Sequence, residues 1–331
     1  MSLPAWPRAH GSTLFAAVIR SSPADFDVTE ALDFDFSGDG EHDVLYVEKT
    51  GANTEWVSRQ LATHADVPAK DVGYCGLKDR HAITRQWFSV PRWNAPDWNT
   101  LTIEGVSLLD VKRHSRKLRR GAHKANHFRI VLRGEMADAD ILELRLQLIR
   151  DAGVPNYFGS QRFGRNGANV ELANIWSAGK RLPRHKRSIA ISSARSFMFN
   201  ELLATRVTDN TWNTILPGEV VNLDGSGSVF DVDVVDDEIT RRCQELDIHP
   251  TGLLWGDGAD VDTAPAGHEN WLRALGKARV KPAHRSLRLK VMNLQWQLDD
   301  ESLTLTFALG RGAFATSVLR ELAAVSDALF N

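Results

Sequence analysis

A strand-like alternation of apolar and polar residues recurs along the chain and constrains the fold more than any other feature. Phe128, Ile130 and Leu132 share one face of residues 127–133, and residues 303–309 repeat the pattern. Such half-apolar strands are typical of antiparallel or mixed sheets that bury one face. Because these segments do not alternate regularly with helices, the sequence predicts an α+β fold with hairpins rather than a regular βαβ series.

Segments with helical periodicity separate the predicted strands. Asn53 can cap a helix whose apolar residues recur at helical spacing. A second helix fills residues 141–150, where Asp138 or Asp140 can cap the start and Gly153 ends the helix. A C-terminal helix is predicted to begin at Thr316 or Ser317 and to bury Val318, Leu319, Leu322 and Val325.

The middle of the chain differs in composition from both ends. Residues 153–286 are rich in glycine, asparagine and tryptophan and contain short irregular pieces. We expect them to form a second domain inserted into a first one, which comprises 1–152 and 287–331. In this arrangement a predicted strand at 287–292 lies beside the strand at 303–309 in the sheet of the first domain.

The length and composition are those of an ordinary globular protein, with 331 residues, 43% hydrophobic and 25% charged. The sequence has no apolar run of about 18 residues, which a transmembrane helix needs, and its start lacks the pattern of a secretory signal. Cys75 and Cys243 are the only cysteines, which suits a reducing compartment and excludes a cysteine-rich zinc site. We therefore expect a cytoplasmic protein that does not bind a membrane.

Basic residues are concentrated in two runs, although the formal net charge is only −2. Residues 112–124 read KRHSRKLRRGAHK, with seven lysines or arginines and no acid, and KRLPRHKR follows at 180–187. One run alone is most simply a solvated loop. Two runs, with acids gathered elsewhere as at 231–238, favour a surface that binds a phosphate backbone. The candidate backbone-binding residues are Lys112, Arg113, Arg116, Lys117, Arg119 and Arg120.

The segment GYCGLKDRHAITRQWFSV at 73–90 places three charged residues between two strand-like stretches. Lys78 and Arg80 flank Asp79, and opposite charges within a few ångström favour the carboxylate form of an aspartate. Asp79 is then suited to act as a nucleophile or an electrostatic stabiliser rather than as a general acid. The triplet also fits a hairpin loop with local ion pairs, and taken alone it favours that interpretation.

This segment resembles the catalytic loop of the TruD family of tRNA pseudouridine synthases. Four further blocks resemble motifs of the family and occur in its order over nearly the whole chain. They are RSSPADFDVTE at 20–30, GAHKANHFRIVLRG at 121–134, GVPNYFGSQRFGRNGAN at 153–169 and GAFATSVLREL at 312–322.

The resemblance implies a fold and an activity. The fold is a pseudouridine synthase catalytic domain with a mixed, largely antiparallel sheet, plus an inserted α/β TRUD domain. The activity is the isomerisation of uridine, at position 13 of certain tRNAs, to pseudouridine. The base leaves and returns within one active site, so we expect no metal and no organic cofactor. We also expect tRNA as the partner, a monomer, and no obligate protein partner.

The resemblance also implies roles for individual residues. Asp79 occupies the position of the aspartate that attacks the target nucleoside and lets uracil rejoin through carbon 5. Attack at the sugar carbon and elimination through a glycal both fit this role. Asn126 and Phe128 occupy the Asn-x-Phe positions that contact the flipped base, with Phe128 stacking on it. Phe26 and Phe314 match aromatic positions that line the same pocket.

Arg20 stands where relatives carry a lysine as the basic partner of the aspartate. An arginine keeps the charge but offers a planar fork in place of a compact ammonium. The chemistry needs a carboxylate, an aromatic platform, an amide that contacts the uracil edge and a basic surface. Flipping a base out of folded RNA costs a few kcal/mol, and stacking on an aromatic ring returns about 1–3 kcal/mol.

Other interpretations fit the same residues. The alternation at 127–133 places Phe128 in the core, and the aromatic residues at 26 and 314 have core readings as well. Asn126 also fits a turn amide. The block at 154–164 fits a domain-junction core, which we favour for Tyr157 and Phe158 and leave open for Arg162. Finally, HKANH could hold a metal ion only if helical, which the predicted strand argues against.

Two other functions are compatible with parts of the sequence. A non-catalytic RNA-binding or RNA-chaperone protein would need the basic runs but not Asp79. A phosphotransferase that uses Asp79 as phosphate acceptor lacks a nearby second acid for magnesium and a phosphate-binding glycine loop. We therefore favour the isomerase and keep the RNA-binding protein as the alternative.

Overall fold

The structure is a computed structural model that describes residues 3–329. The chain forms two compact units, each built from three segments. The sheet unit comprises Leu14–Glu143, Val291–Gly312 and the residues from Ala323 onward. The helix-rich unit comprises the residues up to Thr13, Leu144–Lys290 and Ala313–Leu322.

Strands and short helices make up both units. In chain order the strands are β1 (Phe15–Ile19), β2 (Phe26–Ala31), β3 (His42–Lys49), β4 (Gly73–Tyr74), β5 (Ile83–Pro91), β6 (Val106–His114), β7 (Ala125–Arg133), β8 (Val154–Pro155), β9 (Glu219–Leu223), β10 (Val229–Val232), β11 (Ile248–Leu254), β12 (Ala283–Ser286), β13 (Arg288–Leu289), β14 (Met292–Asp299), β15 (Ser302–Gly310) and β16 (Ala323–Asp327). The helices are α1 (Thr54–His64), α2 (Ala139–Ala152), α3 (Ala168–Ser177), α4 (Arg184–Thr208), α5 (Asp237–Gln244), α6 (Glu269–Lys277) and α7 (Ala315–Leu319).

The sheet unit contains a ten-stranded mixed sheet. Its main path runs β14-β15-β7-β2-β5-β3-β6, with β1 between β7 and β16 and with β4 on β5. The β2–β5 and β1–β16 pairs are parallel, whereas the other pairs of the sheet are antiparallel. The predicted α+β class with a largely antiparallel mixed sheet is confirmed.

The strongest sequence patterns correspond to observed elements. The alternating residues 127–133 lie in β7, and residues 303–309 lie in β15, which pairs with β7 along its whole length. The predicted helix after Asn53 is α1, which packs Val57 and Leu61 onto the sheet core. These patterns succeed because each has one buried face and one exposed face.

The second helix also begins and ends near its predicted residues. The Asp138 carboxylate accepts the Asp140 N–H at 3.0 Å, which satisfies a free donor of the first turn of α2. At the other end Gly153 has a φ of 74°, a backbone conformation that favours glycine. Asp138 therefore caps the helix and Gly153 terminates it.

The predicted strand at 287–292 is wrong in its partner. Arg288–Leu289 pairs with Val154–Pro155 in a separate two-stranded ladder of the helix-rich unit. The neighbour of β15 is β14, which begins at Met292. The apolar residues of 287–291 indicate burial, but burial does not specify which strand lies alongside.

The predicted C-terminal helix is also too long. Helix α7 ends at Leu319, and β16 follows and pairs parallel with β1, so Val325 lies in a strand. Glu321 is fully buried, and its carboxylate accepts the backbone N–H groups of Ala9 and His10. After Leu319 the Glu321 and Leu322 N–H groups bond to the carbonyls three residues earlier, so tight turns replace the α-helix before β16.

The helix-rich unit combines an antiparallel four-stranded sheet, β10-β9-β11-β12, with helices α3, α4 and α6. It contains all of the predicted insertion, 153–286, together with segments from both ends of the chain. Trp6 stacks on Tyr157 with ring centroids 6.2 Å apart, and the Ser317 hydroxyl donates to the Tyr157 carbonyl at 3.2 Å. The segments up to 13 and 313–322 therefore complete the core of this unit.

Candidate active site

Two buried side chains fix the segment between β4 and β5 in the sheet unit. Gln86 on β5 donates to the Gly76 carbonyl at 3.1 Å and accepts from the Thr54 hydroxyl at 2.9 Å. The Thr54 oxygen in turn accepts the Lys78 N–H at 2.9 Å. Because Gln86 and Thr54 are both buried, water does not compete for these bonds. The backbone that carries Asp79 is thereby held to the sheet.

The two cations next to Asp79 in sequence do not pair with its carboxylate. Lys78 pairs with the buried Glu30, with Nζ to Oε2 at 2.6 Å. Arg80 is exposed and donates from Nε to the Gly51 carbonyl at 3.0 Å. The prediction that these neighbours hold the Asp79 carboxylate is therefore wrong. Adjacent residues of an extended loop point in different directions, so neighbours in sequence do not share a partner.

Arg20 is the cation that contacts Asp79. Its Nη2 lies 2.5 Å from Asp79 Oδ2, and its Nη1 lies 2.5 Å from Asp327 Oδ2. The guanidinium carbon sits 4.1 Å from the centroid of the Phe26 ring. The other Asp79 oxygen, Oδ1, accepts the His81 N–H at 3.0 Å. Arg20 thus joins the aspartate of the predicted site to an aromatic residue of the same site.

The burial of this pair is unequal. The Arg20 side chain is only 8% exposed, whereas that of Asp79 remains 32% exposed. A guanidinium can serve two carboxylates because its nitrogens form a rigid fork, which an ammonium lacks. The arrangement therefore anchors the cation and leaves the carboxylate open to a ligand.

Local backbone geometry explains how Arg20 reaches both acids. Arg20 directly follows β1 and has a φ of 58°, which non-glycine residues rarely adopt and which costs about 1–3 kcal/mol. In the parallel β1–β16 ladder Ile19 pairs with Asp327, so that acid lies beside the turn. The two charge-assisted hydrogen bonds offset the backbone cost.

Lys49 also holds the loop that carries Asp79, and the sequence analysis did not predict this role. It is fully buried at the end of β3, and its Nζ donates to the carbonyls of Ala52 at 2.8 Å and Asp79 at 2.9 Å. Burial lowers the pKa of Lys49 to about 8, and the Asp79 charge opposes that shift. The available signal was the alternation of β3, which places Lys49 on the same inward face as Leu45 and Val47.

Phe26, which contacts Arg20, packs against aromatic residues of adjacent strands. Strands β2 and β7 pair so that Val28 faces Phe128, and the Phe26 and Phe128 rings meet edge to face with centroids 6.4 Å apart. Phe128 also stacks on Phe307 at 5.3 Å. Both predicted aromatic residues are buried, as their alternation suggested. One face of the Phe128 ring is therefore taken by Phe307.

Asn126 lies within β7, opposite Glu30 on β2 and Leu309 on β15, rather than in a turn before the strand. Its Oδ1 is buried and has no hydrogen-bond partner among residues 3–329. An unpaired buried acceptor costs about 1–3 kcal/mol. Such an atom is suited to accept a hydrogen bond from a ligand.

Other predicted residues lie further along the chain. Phe314 belongs to the helix-rich unit, immediately precedes α7 and is 37% exposed. In the basic run Lys112 and Arg113 lie on β6, and Arg113 donates to the Gly40 carbonyl at 3.1 Å. Lys117 donates to the Lys70 carbonyl, and Arg120 pairs with Glu55 at 3.2 Å. Arg116 and Arg119 are exposed and form no ion pair within residues 3–329.

Neither a metal centre nor a membrane span appears in the part of the chain that the structure describes. Across residues 3–329 no group of three or more histidines, cysteines or acids is placed to hold a metal ion. Over the same residues, every helix is too short or too polar to cross a bilayer.

The fold matches that of a solved structure. A protein from Methanosarcina mazei, described as a putative tRNA pseudouridine synthase D, superimposes with a TM-score of 0.74. The match covers 98% of this chain and 97% of that protein at 18% identity. The two proteins therefore share one fold over nearly their whole lengths.

Sequence comparison is more specific. The family model described as tRNA pseudouridine synthase D (TruD) matches residues 11–173 and 169–322. The relative from Methylococcus capsulatus is 44% identical, covering 96% of this chain and 93% of its own. The relative from Nitrosococcus oceani is 43% identical with the same two coverages, and both are named tRNA pseudouridine synthase D. The chain belongs to the tRNA pseudouridine synthase D family. The predicted family and the predicted class of enzyme, an isomerase, are confirmed.

Proposed function

We propose that the protein converts uridine at position 13 of tRNA to pseudouridine, with Asp79 as the nucleophile. The observation that carries this proposal is the Asp79 carboxylate, which is partly exposed, held by Arg20 and placed on a loop fixed to the sheet. The tRNA substrate is supported by the names of the relatives. The position within the tRNA is supported by the resemblance of the motifs to the family.

The reaction is an isomerisation and needs no other reactant. The bond between C1′ of the ribose and N1 of uracil breaks, and a bond between C1′ and C5 forms. The hydrogen on C5 is lost and N1 gains one, so atoms and electrons balance. Asp79 acts as a nucleophile if it attacks C1′ directly and as a base if it removes a C2′ proton to give a glycal, and both roles require the carboxylate. In either route the reacting atoms must lie about 3–3.5 Å apart.

The predicted substrate-binding residues are suited to hold an extruded base. The Oδ1 atom of Asn126 has no partner among residues 3–329, so it can accept the N3–H of uracil. Phe26 and Phe128 provide aromatic surface, and stacking is worth about 1–3 kcal/mol per base. We also propose Phe314 as a substrate-binding residue on the basis of its family motif. Arg20 positions Asp79 and balances its charge until the nucleoside arrives.

Asp79→Asn is the decisive variant. The amide keeps the size of the side chain but removes the nucleophile, so pseudouridine formation on an unmodified tRNA transcript should be abolished. Binding of the same tRNA should change little, because the missing group is not a phosphate contact. Pseudouridine is mapped by position after incubation, and binding is measured in parallel by filter retention.

The matched control is Asp71→Asn, which makes the same substitution eight residues earlier in the sheet unit. It should retain full activity. A transcript with cytidine at position 13 should yield no product if the target position is correct. Normal product from the Asp79 variant would exclude the proposed nucleophile. Wild-type protein that binds tRNA and forms no pseudouridine would favour the alternative of an RNA-binding or chaperone protein.

A further inference from the structure

Two arginines of the helix-rich unit face the same aromatic ring. Arg162 lies in the short 3₁₀ turn Ser160–Phe163, and Arg285 lies on β12. Their guanidinium carbons are 5.2 Å and 4.1 Å from the centroid of the Phe158 ring. Two like charges are therefore gathered at one side chain, which requires a physical explanation.

Neither arginine has an acidic partner within residues 3–329. Arg162 donates to the Ser192 hydroxyl at 2.9 Å, and Arg285 donates to the Asn156 side-chain oxygen at 2.6 Å. Among residues 3–329 no carboxylate oxygen lies within 4.0 Å of the Arg162 or the Arg285 guanidinium. The Arg285 Nε is buried and has no hydrogen-bond partner among the same residues. The cluster thus contains two cations with neutral partners and one unused donor.

The cost of this arrangement falls mainly on Arg285. Burial, and secondarily the charge of Arg162, lower the pKa of Arg285 to about 10. The Phe158 ring attracts both cations, but a ring offsets only part of the cost of removing an unpaired charge from water. A fold that retains two repelling cations without an acid has the charge distribution of an anion-binding site.

The ring and its two cations are held in place before any ligand binds. Asn200 accepts the Phe158 N–H at 2.9 Å and donates to the Phe158 carbonyl at 3.0 Å, which fixes the backbone below the ring. Across the β11–β12 pair Gly252 faces Arg285. A Cβ on Gly252 would lie 2.9 Å from the Phe199 ring, so only glycine leaves room for this packing.

A second group of cations lies at the start of α4, the helix that carries Ser192. Arg184, Lys186 and Arg187 lie in the first turn of α4 and are exposed. Ser192, which binds Arg162, lies eight residues further along the same helix than Arg184, a distance of about 12 Å. The basic run at 180–187 and the Arg162–Arg285 cluster therefore both involve helix α4 of this unit.

We propose that Arg162 and Arg285 form a binding site for a phosphodiester group of the RNA substrate. Guanidinium forks match phosphate oxygens in pairs, and a single phosphate between the two would supply the missing negative charge. The inference rests on the proposed function, because the polyanion in question is the tRNA. It assigns to Arg162 a role that the sequence left open, with Phe158 as the rigid support of both cations.

The first test is the salt dependence of tRNA binding for Arg162→Gln. Affinity for an unmodified transcript should fall about tenfold, the loss expected for a charge-assisted hydrogen bond. The slope of log affinity against log salt should shrink by about 0.7–0.9. The matched control is Arg242→Gln, because Arg242 lies 5.9 Å from the Phe230 ring but pairs with Asp247 at 2.6 Å. This control should leave affinity and slope unchanged.

Kinetics and stability provide the second test. A phosphate contact binds ground state and transition state alike, so Arg162→Gln should raise KM and leave kcat unchanged. Without ligand the variant should melt no lower than wild type, because one of two repelling cations is gone. Inorganic phosphate, compared with chloride at equal ionic strength, should raise the melting temperature of wild type more than that of the variant. Arg285→Gln should behave in the same way if it folds.

Two outcomes separate this inference from the proposed function. Wild-type protein that forms pseudouridine, with an Arg162→Gln variant of normal affinity and slope but a clearly lower melting temperature, would make the cluster a structural stack. That result overturns the phosphate site and leaves the isomerase intact. Wild-type protein that forms no pseudouridine would instead overturn the proposed function. The slope of log tRNA affinity against log salt would still test the role of Arg162.

Discussion

Arg20 donates from its two terminal nitrogens to different carboxylates, Asp79 and Asp327. Arg20 therefore pairs with Asp79, which we propose as the reacting group, and with Asp327, which fixes the guanidinium in place. A lysine at this position could reach either carboxylate but could not span both with a rigid fork. The arginine and Asp327 thus form one functional pair, in which the strand residue fixes the direction of the cation.

Lys49 makes the stability of the sheet unit depend on pH. Its pKa in the folded state, about 8, lies below the 10.5 of a free lysine. Between these values the unfolded chain holds a proton that the folded protein has released. The free energy of unfolding should therefore rise with pH across this window, by as much as about 3 kcal/mol for this residue.

The measurement compares wild type with Lys49→Met, which cannot titrate. The free energy of unfolding is obtained from urea unfolding curves at several pH values between 7 and 10.5. The wild type minus variant difference should grow from pH 8 to pH 10.5 and be constant below pH 8. A difference that is the same at every pH would mean that Lys49 is not desolvated as the structure indicates. At neutral pH the variant also leaves the Asp79 and Ala52 carbonyls unpaired, which costs about 1–3 kcal/mol each.

At the residue scale the sequence indicates Arg20 as a basic partner of Asp79 but assigns the wrong partner to the residues next to Asp79. Asp79 and Arg20 were singled out, and the structure places them 2.5 Å apart. The neighbours Lys78 and Arg80 were given the wrong target, because spacing along a chain does not state the direction of a side chain. Asp327 was not considered at all, since its proximity to Arg20 depends on a parallel pairing that no local pattern encodes.

Among the elements, β4 is packed too tightly to accept a side chain at its first residue. A Cβ on Gly73 would lie 2.4 Å from the Leu118 carbonyl oxygen and 2.5 Å from Ser89 Oγ. Ser89 Oγ also accepts the Leu118 N–H at 2.8 Å. This contact joins β4, β5 and the basic segment after β6 into one structure.

Gly73→Ala should therefore destabilise the sheet unit by about 1–3 kcal/mol, as overpacking usually does. Thermal or urea unfolding measures the change. Gly310→Ala is the control, because a Cβ there meets nothing within 4 Å and its φ is not positive. The control should stay within about 0.5 kcal/mol of wild type. Equal stability of the two variants would mean that the β4 contact relaxes without cost.

Element prediction succeeded where one period held over a full element with clear ends. Strand β7 and helix α2 are examples, since each has a continuous apolar face and a recognisable terminus. It failed at α7 and β16, where the short helix ends beside the buried Glu321 and the following apolar residues belong to a strand. A helix of five residues is too short for periodicity to distinguish it from the next element.

On the scale of the whole molecule, the net charge of −2 hides a strongly uneven distribution. Within the run 112–124 several cations are engaged by carbonyls or acids, whereas Arg116 and Arg119 are exposed and form no ion pair within residues 3–329. Removal of both charges should reduce the salt slope of tRNA binding by roughly one for each phosphate that the variant no longer binds.

The double variant Arg116→Gln and Arg119→Gln is compared with Arg241→Gln. Arg241 is also exposed, but Glu238 and Glu245 already pair with it, so its removal should leave the slope unchanged. Filter binding over a salt series gives the slopes. A slope identical to wild type in the double variant would exclude this loop from the RNA-binding surface.

The arrangement of the whole chain was the least accessible to prediction. Composition indicated a distinct middle region, and that region does lie in one compact unit. Nothing in the patterns indicated that residues up to 13 and 313–322 join it, because those contacts involve single side chains such as Trp6 and Ser317. Packing between distant segments is decided by shape, which the periodicity of apolar residues does not record.

The parallel pair β1–β16 has a consequence for biosynthesis. Arg20 and Asp327 are separated by 307 residues, so β1 is synthesised long before its partner strand β16. Contacts this distant in sequence form slowly, because the entropy of closing a long loop is lost before the contacts stabilise the chain. A nascent polypeptide that stops short of Ala323–Asp327 contains Asp79 and Arg20, but Arg20 lacks its hydrogen bond to Asp327. The second carboxylate that holds Arg20 beside Asp79 is therefore present only once translation has produced β16.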